Sequence, residues 1–255
     1  MLSKTIVKYI QSLAHKKFRD EHGVFIAEGP KVVNELLQAN HFLLKMVCGL
    51  PGWINANTVA LKNISAQEKI EISETDLEKI SQLKTPNKVL AVFYQKVNEF
   101  SHDDTLYHEN HFSLMLDDIQ DPGNMGTIIR TADWFGVKNI ICSNECVDFY
   151  NPKVVQASMG SLSRVNVIYT ELAKFIVENK DVPVYAATLS GKNLSVFKNL
   201  TKGIILFGNE SKGVNESLLK LATDHITIPK YGAAESLNAA VACGIILSHI
   251  GLVIK

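Results

Sequence analysis

LDDIQDPGNMGTIIRTADWFGV, residues 116–137, has the pattern of a strand that turns directly into a helix. An apolar segment ends in two acidic residues, a Pro-Gly-Asn turn follows, and helical periodicity begins. In parallel α/β sheets, ligands bind at this carboxyl end of the strands. Gly123 and Gly126 allow close backbone approach, and the free N–H groups of the first helical turn suit an anion. The stretch predicts an α/β fold with a ligand site at the turn.

Strands and helices alternate on both sides of this turn. FSLMLDD, KNIICS, VPVYAATL, GIILFG and HITIP read as strands, and helical stretches lie between several of them. This order predicts a mostly parallel sheet with both faces covered, over residues 112–255. The last helix, SLNAAVACGIILSHIGLVI, is apolar nearly all round. It must be buried against the sheet or against a partner subunit.

A smaller α/β domain is predicted over residues 1–95. Its pattern contains a polar helix from Lys4 to Lys17, a strand at Val24–Gly29, a helix opened by Pro30 and another capped by Ser73. Five basic residues lie among the first twenty, and they could follow a phosphate backbone or form a solvated helix face.

Residues 96–111 have no periodicity and are predicted to be a linker between the two domains. This segment is rich in histidine and acidic residues, but their spacing fits no metal-ligand template. We expect a solvated linker rather than a metal site. The residues considered for such a site are His102, Asp103, Asp104, His108 and His111.

The composition, with 46% apolar and 20% charged residues, is that of an ordinary soluble globular protein. No run reaches the ~18 apolar residues that indicate a membrane span, and the N-terminus lacks a signal-peptide pattern. Four scattered cysteines without a CxxC pair favour free thiols in a reducing cytoplasm. The net charge of zero argues against a protein that coats nucleic acid, although residues 1–95 carry +3 and residues 96–255 carry −3.

Four side chains are candidates for chemistry, and all except Asn238 also have a structural explanation. Arg130 lies one helical turn past Gly126, where it could grip a phosphate or pair with a neighbouring aspartate. Glu210 follows an apolar strand, where it could orient a ligand or cap the next helix. Ser236 is predicted to be the N-cap of the last helix, which places Asn238 at its second position. A polar amide there needs partners, or it costs ~1–3 kcal/mol.

The order of these residues resembles the motif series of the SpoU/TrmH family of RNA ribose methyltransferases, in the SPOUT superfamily. The series is NxGxxxR, then GNExxG, then IPxxGxxxSLN before an Ala-rich apolar helix. The N-terminal segment, with its GxFxxEGxKxVxE pattern, also resembles the substrate-binding domain that often precedes this catalytic domain. The matching positions are Asn124, Gly126, Arg130, Gly208, Asn209, Glu210, Gly213, Ile228, Pro229, Gly232, Ser236, Leu237 and Asn238.

The resemblance implies a deep C-terminal trefoil knot, a homodimer through the knotted domain, and S-adenosylmethionine as the methyl donor. The implied substrate is the ribose 2′-hydroxyl of RNA, with ribosomal RNA of the large subunit first and transfer RNA second. A cytoplasmic enzyme without a metal is expected. The implied cofactor-binding residues are Thr188, Leu189, Leu206, Gly208, Asn209, Ile228, Pro229 and Leu237.

The resemblance also implies catalytic roles. Asn124, Ser236 and Asn238 are expected to position the ribose, and Glu210 to orient Arg130 or Asn124. Arg130 matches a residue proposed in the family as general base, but a guanidinium stays protonated in ordinary protein settings. We therefore expect it to hold the phosphate and stabilise the developing alkoxide. Lys16, Lys17 and Arg19 are the expected RNA contacts of the N-terminal domain.

Two other functions are compatible with parts of the sequence. A non-catalytic RNA-binding or ribosome-assembly protein could retain the knotted fold, but it has no need of all four candidate side chains. A Rossmann-type methyltransferase or dehydrogenase would need a glycine fingerprint after its first strand and an acid about 20 residues later. The sequence has no such pair.

Overall fold

In the computed structural model, the strands gather into two sheets that belong to two units. The first unit contains the described residues up to 96 together with 148–163, and the second contains the rest. The helices are α1 (Lys4–Ser12), α2 (Lys16–His22), α3 (Pro30–Ala39), α4 (Pro51–Ala56), α5 (Glu74–Ile80), α6 (Pro122–Trp134), α7 (Pro152–Ser158), α8 (Leu172–Glu178), α9 (Glu216–Leu221) and α10 (Ala239–Val253). The strands are β1 (Val24–Glu28), β2 (Leu44–Gly49), β3 (Lys69–Glu71), β4 (Val89–Tyr94), β5 (Phe112–Leu116), β6 (Asn139–Cys142), β7 (Asn166–Tyr169), β8 (Val184–Asn193), β9 (Gly203–Phe207) and β10 (Asp224–Thr227). The structure describes residues 2–63, 65, 67–96, 111–197 and 200–253.

The sheet of the first unit has the strand order β1-β4-β2-β3, with β4 antiparallel to both neighbours and β3 parallel to β2. Pro30 opens α3, and the Ser73 hydroxyl caps α5 by accepting from the backbone N–H of Asp76, as the sequence predicts. The segment 148–163 packs here through the ring of Tyr150, which stacks on Phe25 at 4.7 Å. The core of this unit is apolar and contains Leu2, Ile10, Leu13, Val24, Ile26, Cys48, Ile72, Leu77, Ile80, Leu90 and Val92.

The polar helix predicted from Lys4 to Lys17 is two helices, and that prediction was wrong. Helix α1 stops at Ser12, and α2 begins at Lys16. The guanidinium of Arg19 donates to the carbonyls of Leu13 and Ala14 at 2.9 and 2.8 Å, so it satisfies carbonyl groups that the break leaves without helical partners. The spacing of apolar residues cannot reveal this break, because the break is stabilised by the side chain of one residue, Arg19, and not by a pattern along the helix.

The sheet of the second unit has the order β10-β8-β9-β5-β6-β7, and every pairing is parallel. This confirms the predicted α/β class with a parallel sheet. The sequence did not reveal β7 or α8, since four and seven residues are too few to show a clear period. Helix α10 buries the face that carries Cys243, Ile246 and Ile250 and exposes Val241 and Ile245. The all-round burial expected of this helix is therefore absent from the single chain.

Candidate active site

The site forms where β5 and β9 end side by side. Leu116 pairs with Phe207 at the last register position, and the backbone N–H of Asp117 donates to the Phe207 carbonyl at 2.9 Å. Asp118 then adopts a left-handed conformation, φ 56°, which aspartate tolerates better than most residues. This turn directs the chain into Asp121, whose carboxylate caps α6 by accepting from the backbone N–H of Asn124 at 2.8 Å.

The loop after β9 is held tightly against this turn. A Cβ on Gly208 would lie 2.2 Å from the Gly213 carbonyl carbon and from the Val214 nitrogen, so only glycine fits there. The side-chain amide of Asn209 is fully engaged. Its Nδ2 donates to the Asp118 carbonyl at 2.9 Å, and its Oδ1 accepts from the backbone N–H of Ser211 at 2.9 Å. Asn209, predicted to bind the cofactor, therefore uses its side chain to shape the loop.

Three of the predicted catalytic side chains form one hydrogen-bonded chain. Asn238 donates through Nδ2 to Asn124 Oδ1 at 2.8 Å, and Asn124 donates through Nδ2 to Glu210 Oε1 at 2.6 Å. The two bonds join residues that are 114 and 86 positions apart in the sequence. Glu210 does not cap α9, because the Asn215 side chain does so. Of the two roles expected for Glu210, the structure supports the orientation of Asn124.

The predicted cap of the last helix was wrong by two residues. Helix α10 begins at Ala239, and the Oδ1 of Asn238 accepts from the backbone N–H groups of Ala240 and Val241 at 2.9 and 3.2 Å. Asn238 is thus the N-cap, while Ser236 is exposed and forms no hydrogen bond with the described residues. Serine and asparagine cap helices about equally well, so the sequence alone cannot choose between them.

Arg130 is exposed on α6 and has no ion pair or hydrogen bond among the described residues. The aspartates that could have neutralised it are engaged elsewhere. Asp121 caps α6, and Asp133 Oδ2 accepts from Arg164 Nε at 2.8 Å. Its guanidinium is therefore available to an anionic ligand.

Burial raises the pKa of Asp117, and the neighbouring carboxylates of Asp118 and Glu145 raise it further, while the N–H of Asn215 opposes the shift. This carboxylate accepts that N–H at 2.8 Å and so fixes the start of α9. Asp117 and Asp118 were not among the candidate residues, although the acidic tip after the strand marks their position. Both support the site through backbone contacts.

The predicted cofactor residues fall into separate environments. Leu206 is fully buried in the core of the second unit, so its side chain contacts protein only. Leu189 and Leu237 are 75% and 48% exposed. Thr188 has a buried hydroxyl that lacks a hydrogen-bond partner among the described residues. Ile228 and Pro229 line an open cavity of about 680 Å³ beside α10; its other lining residues are Asn193, Leu194, Ser195, Tyr231, Val241, Gly244, Ile245, Ser248 and His249.

Of the predicted RNA contacts, Arg19 is corrected by the structure. It is 2% exposed, and it forms an ion pair with Asp148 at 2.6 Å between Arg19 Nη2 and a carboxylate oxygen. An arginine committed in this way cannot reach a phosphate. Lys16 and Lys17 are exposed, and Lys16 forms a surface ion pair with Asp20.

The described residues contain no cluster of three histidine, cysteine or acidic side chains that could hold a metal. Four of the five linker residues considered for such a site, from His102 to His108, lie outside the described residues. All four cysteines are buried and free. Within the same part of the chain, the helices are too short or too polar to cross a membrane.

Two family models match the chain. Residues 111–248 match the SpoU rRNA Methylase family, and residues 4–91 match the MRM3-like substrate binding domain. Among curated proteins, the chain is 28% identical over 251 residues to the 23S rRNA (guanosine(2553)-2′-O)-methyltransferase RlmP of Bacillus subtilis, covering 96% of this chain and 95% of that protein.

Solved structures agree with this match. An rRNA methyltransferase from Sinorhizobium meliloti, bound to AdoMet, is 31% identical, with a TM-score of 0.86 and coverage of 98% of this chain and 96% of that one. The SpoU methyltransferase AviRb from Streptomyces viridochromogenes shares the fold at 22% identity, with a TM-score of 0.85 and 98% coverage of both chains.

Proposed function

Because this chain belongs to the SpoU rRNA methylase family, we propose that it transfers a methyl group from S-adenosylmethionine to a ribose 2′-hydroxyl of ribosomal RNA. The observation that carries the proposal is the chain of hydrogen bonds from Asn238 through Asn124 to Glu210. The same domain presents the exposed Arg130, which forms no ion pair with the described residues. The large-subunit RNA is the first choice of substrate, since the relative in Bacillus subtilis is named for 23S rRNA. Transfer RNA is the second choice.

The residues present fit S-adenosylmethionine. When bound, this cofactor supplies a methyl group on a cationic sulfur. The hydroxyl of Thr188, which has no partner within the described part of the chain, could form a hydrogen bond with a polar group of the cofactor, while the exposed Leu189 and Leu237 offer apolar contact to its adenine. Gly208 lets the loop after β9 pack against the backbone of Gly213 and Val214, where a side chain could not fit. Ile228 and Pro229 complete the proposed cofactor-binding residues. Leu206 supports them from the core, and Asn209 supports them by shaping the loop after β9.

Asn124, Ser236 and Asn238 position the ribose, and Glu210 fixes the direction of the Asn124 amide. The Oε1 of Glu210 can only accept, so Asn124 must point its NH₂ group toward Glu210 and its oxygen toward Asn238. An amide held at both ends aligns the reacting groups, and alignment alone can supply several kcal/mol of the barrier reduction.

Arg130 holds the phosphate of the target nucleotide and stabilises the developing alkoxide. Its exposure and its lack of a carboxylate partner support this role over that of general base. A pH–rate profile of the wild type and of Arg130→Ala tests the assignment. The clamp predicts a loss on the order of 10²-fold at every pH. Disappearance of an acidic limb in the variant would identify Arg130 as the base.

The assembly and location of the enzyme are part of the same proposal. The chain forms a cytoplasmic homodimer through its C-terminal domain, which contains a trefoil knot. The apolar side chains of Val241 and Ile245, exposed on a helix whose face with Cys243, Ile246 and Ile250 is buried, support the dimer. The domain boundaries proposed are 1–95, a linker at 96–111, and 112–255. Lys16 and Lys17 remain the proposed RNA contacts of the first domain.

Transfer of a labelled methyl group to unmethylated ribosomal RNA tests the function, and mapping of ribose methylations lost in a deletion strain identifies the nucleotide. Calorimetric titration with S-adenosylmethionine separates the enzyme from a non-catalytic RNA-binding protein. Absence of cofactor binding by a folded protein would favour the non-catalytic alternative. Binding without transfer to ribosomal RNA would direct the search to transfer RNA.

A further inference from the structure

We propose that Trp134 is a stacking platform for an unpaired RNA base next to the methylated nucleotide, a role that rests on the proposed function. Trp134 is the last residue of α6, and its side chain is 85% exposed. The only other tryptophan, Trp53, is 6% exposed in the first unit. Single exposed apolar residues are common on protein surfaces. Exposure alone therefore does not mark Trp134 as a binding residue, and its neighbours decide its role.

Two arginines are connected to the end of α6 that carries Trp134. Arg130 precedes it by one helical turn on the same face of α6, about 6 Å along the axis. Arg164 pairs with Asp133, the residue before Trp134, and its side chain is still 42% exposed. The chain has three arginines, and the third, Arg19, is buried in the first unit. Both accessible guanidinium groups thus belong to the surroundings of one exposed indole.

This combination favours RNA over a protein partner. Proteins recognise RNA chiefly at unstacked bases, which lie on aromatic rings while cations contact the adjoining phosphates. The centre of a protein interface is depleted of charge, and the exposed apolar side chains of Val241 and Ile245 on α10 fit a second copy of this chain better. We assign the Trp134 surface to a base and the flanking guanidinium groups to its phosphates.

The two tryptophans allow a direct optical test. Addition of an unmodified 23S ribosomal RNA transcript should quench the emission of the exposed tryptophan in the wild type. In Trp134→Phe, where Trp53 alone emits, the same RNA should cause little quenching. Binding of the transcript without a difference between the two proteins would overturn the proposal. A blue shift that grows with protein concentration in the absence of RNA would instead identify an interface between copies.

Kinetics provide the second test. Trp134→Ala should raise the KM for the transcript about tenfold or more and leave the affinity for S-adenosylmethionine unchanged. Trp134→Phe, which keeps an aromatic ring, should have a KM close to that of the wild type. Val177→Ala, which truncates another residue of the second unit that is 60% exposed, is the matched control. An unchanged KM in Trp134→Ala would refute stacking. A wild type that shows quenching by the transcript but no methyl transfer to it would overturn ribosomal RNA as the proposed substrate and leave the stacking contact standing.

Discussion

Asn238 caps α10 with its side-chain oxygen and, through its side-chain nitrogen, donates to Asn124 Oδ1 at 2.8 Å. One amide therefore stabilises a helix and orients a residue of the candidate site at the same time. The two tasks use different atoms, so substitutions can separate them.

Asn238→Asp retains the capping oxygens but loses the donor to Asn124, whereas Asn238→Ala loses both. We expect Asn238→Ala to lower the free energy of unfolding by about 1 kcal/mol and Tm by about 2–4 °C. Asn238→Asp should keep the wild-type Tm, and both variants should lose methyl-transfer rate, on the order of tenfold or more. Thermal unfolding and single-turnover transfer measure the two effects. Equal Tm in Asn238→Ala and wild type would contradict the capping role.

Glu210 is expected to act through Asn124. Glu210→Ala removes the acceptor that fixes the Asn124 amide, and Asn124→Ala removes the amide itself, so the double variant should be little slower than Asn124→Ala alone. Multiplicative losses in rate would instead mean independent roles. Glu216→Ala, at the exposed start of α9, is the control for removal of a carboxylate. The assay is the single-turnover rate at saturating cofactor.

The sequence could predict the strand–turn–helix at Pro122 and the grouping of Asn124 with Glu210, because both depend on local patterns or on an ordered motif series. It could not identify Asn238 as the cap, since Ser236 satisfies the same local rule. It also assigned Arg19 to RNA, because a basic residue in a basic segment reveals nothing of its partner Asp148, which lies 129 positions away. The roles of these side chains depend on contacts with residues far away in the sequence. A single sequence does not reveal such contacts.

Gly208 is predicted to be irreplaceable in the loop after β9. A Cβ there would overlap the backbone of Gly213 and Val214 at 2.2 Å, and backbone cannot move aside as a flexible side chain can. Gly208→Ala should therefore displace the loop and abolish measurable binding of S-adenosylmethionine in calorimetry. Gly52→Ala, whose Cβ meets nothing within 4 Å, is the matched control and should bind normally. Normal binding by folded Gly208→Ala would remove this loop from the cofactor site.

Arg19 should contribute to stability and not directly to RNA binding. Arg19→Met leaves the carboxylate of Asp148 without its partner at 2.6 Å, and loss of one partner of a buried pair destabilises by about 3 kcal/mol or more. Lys16→Met, which removes an exposed ion pair, should change the free energy of unfolding by less than about 1 kcal/mol. Urea unfolding measures both. If Arg19→Met has the stability of the wild type but binds RNA more weakly, Arg19 contacts RNA after all, as the sequence predicted.

Glu28 should make the first unit less stable as pH rises. Its side chain is buried, and burial raises its pKa above the ordinary 4.5, although hydrogen bonds from the Ser81 hydroxyl and the Gln82 N–H oppose the shift. Between 4.5 and the raised pKa the folded protein binds more protons at this group than the unfolded chain does. The contribution of Glu28 to the free energy of unfolding therefore falls as pH rises through this window, and it is fully present below it. Glu28→Gln should flatten the pH dependence in urea unfolding above about pH 4.5, whereas Glu71→Gln, on the exposed end of β3, should not. If the free energy of unfolding changes with pH equally in the wild type, Glu28→Gln and Glu71→Gln, the pH dependence does not come from Glu28, and this prediction is wrong.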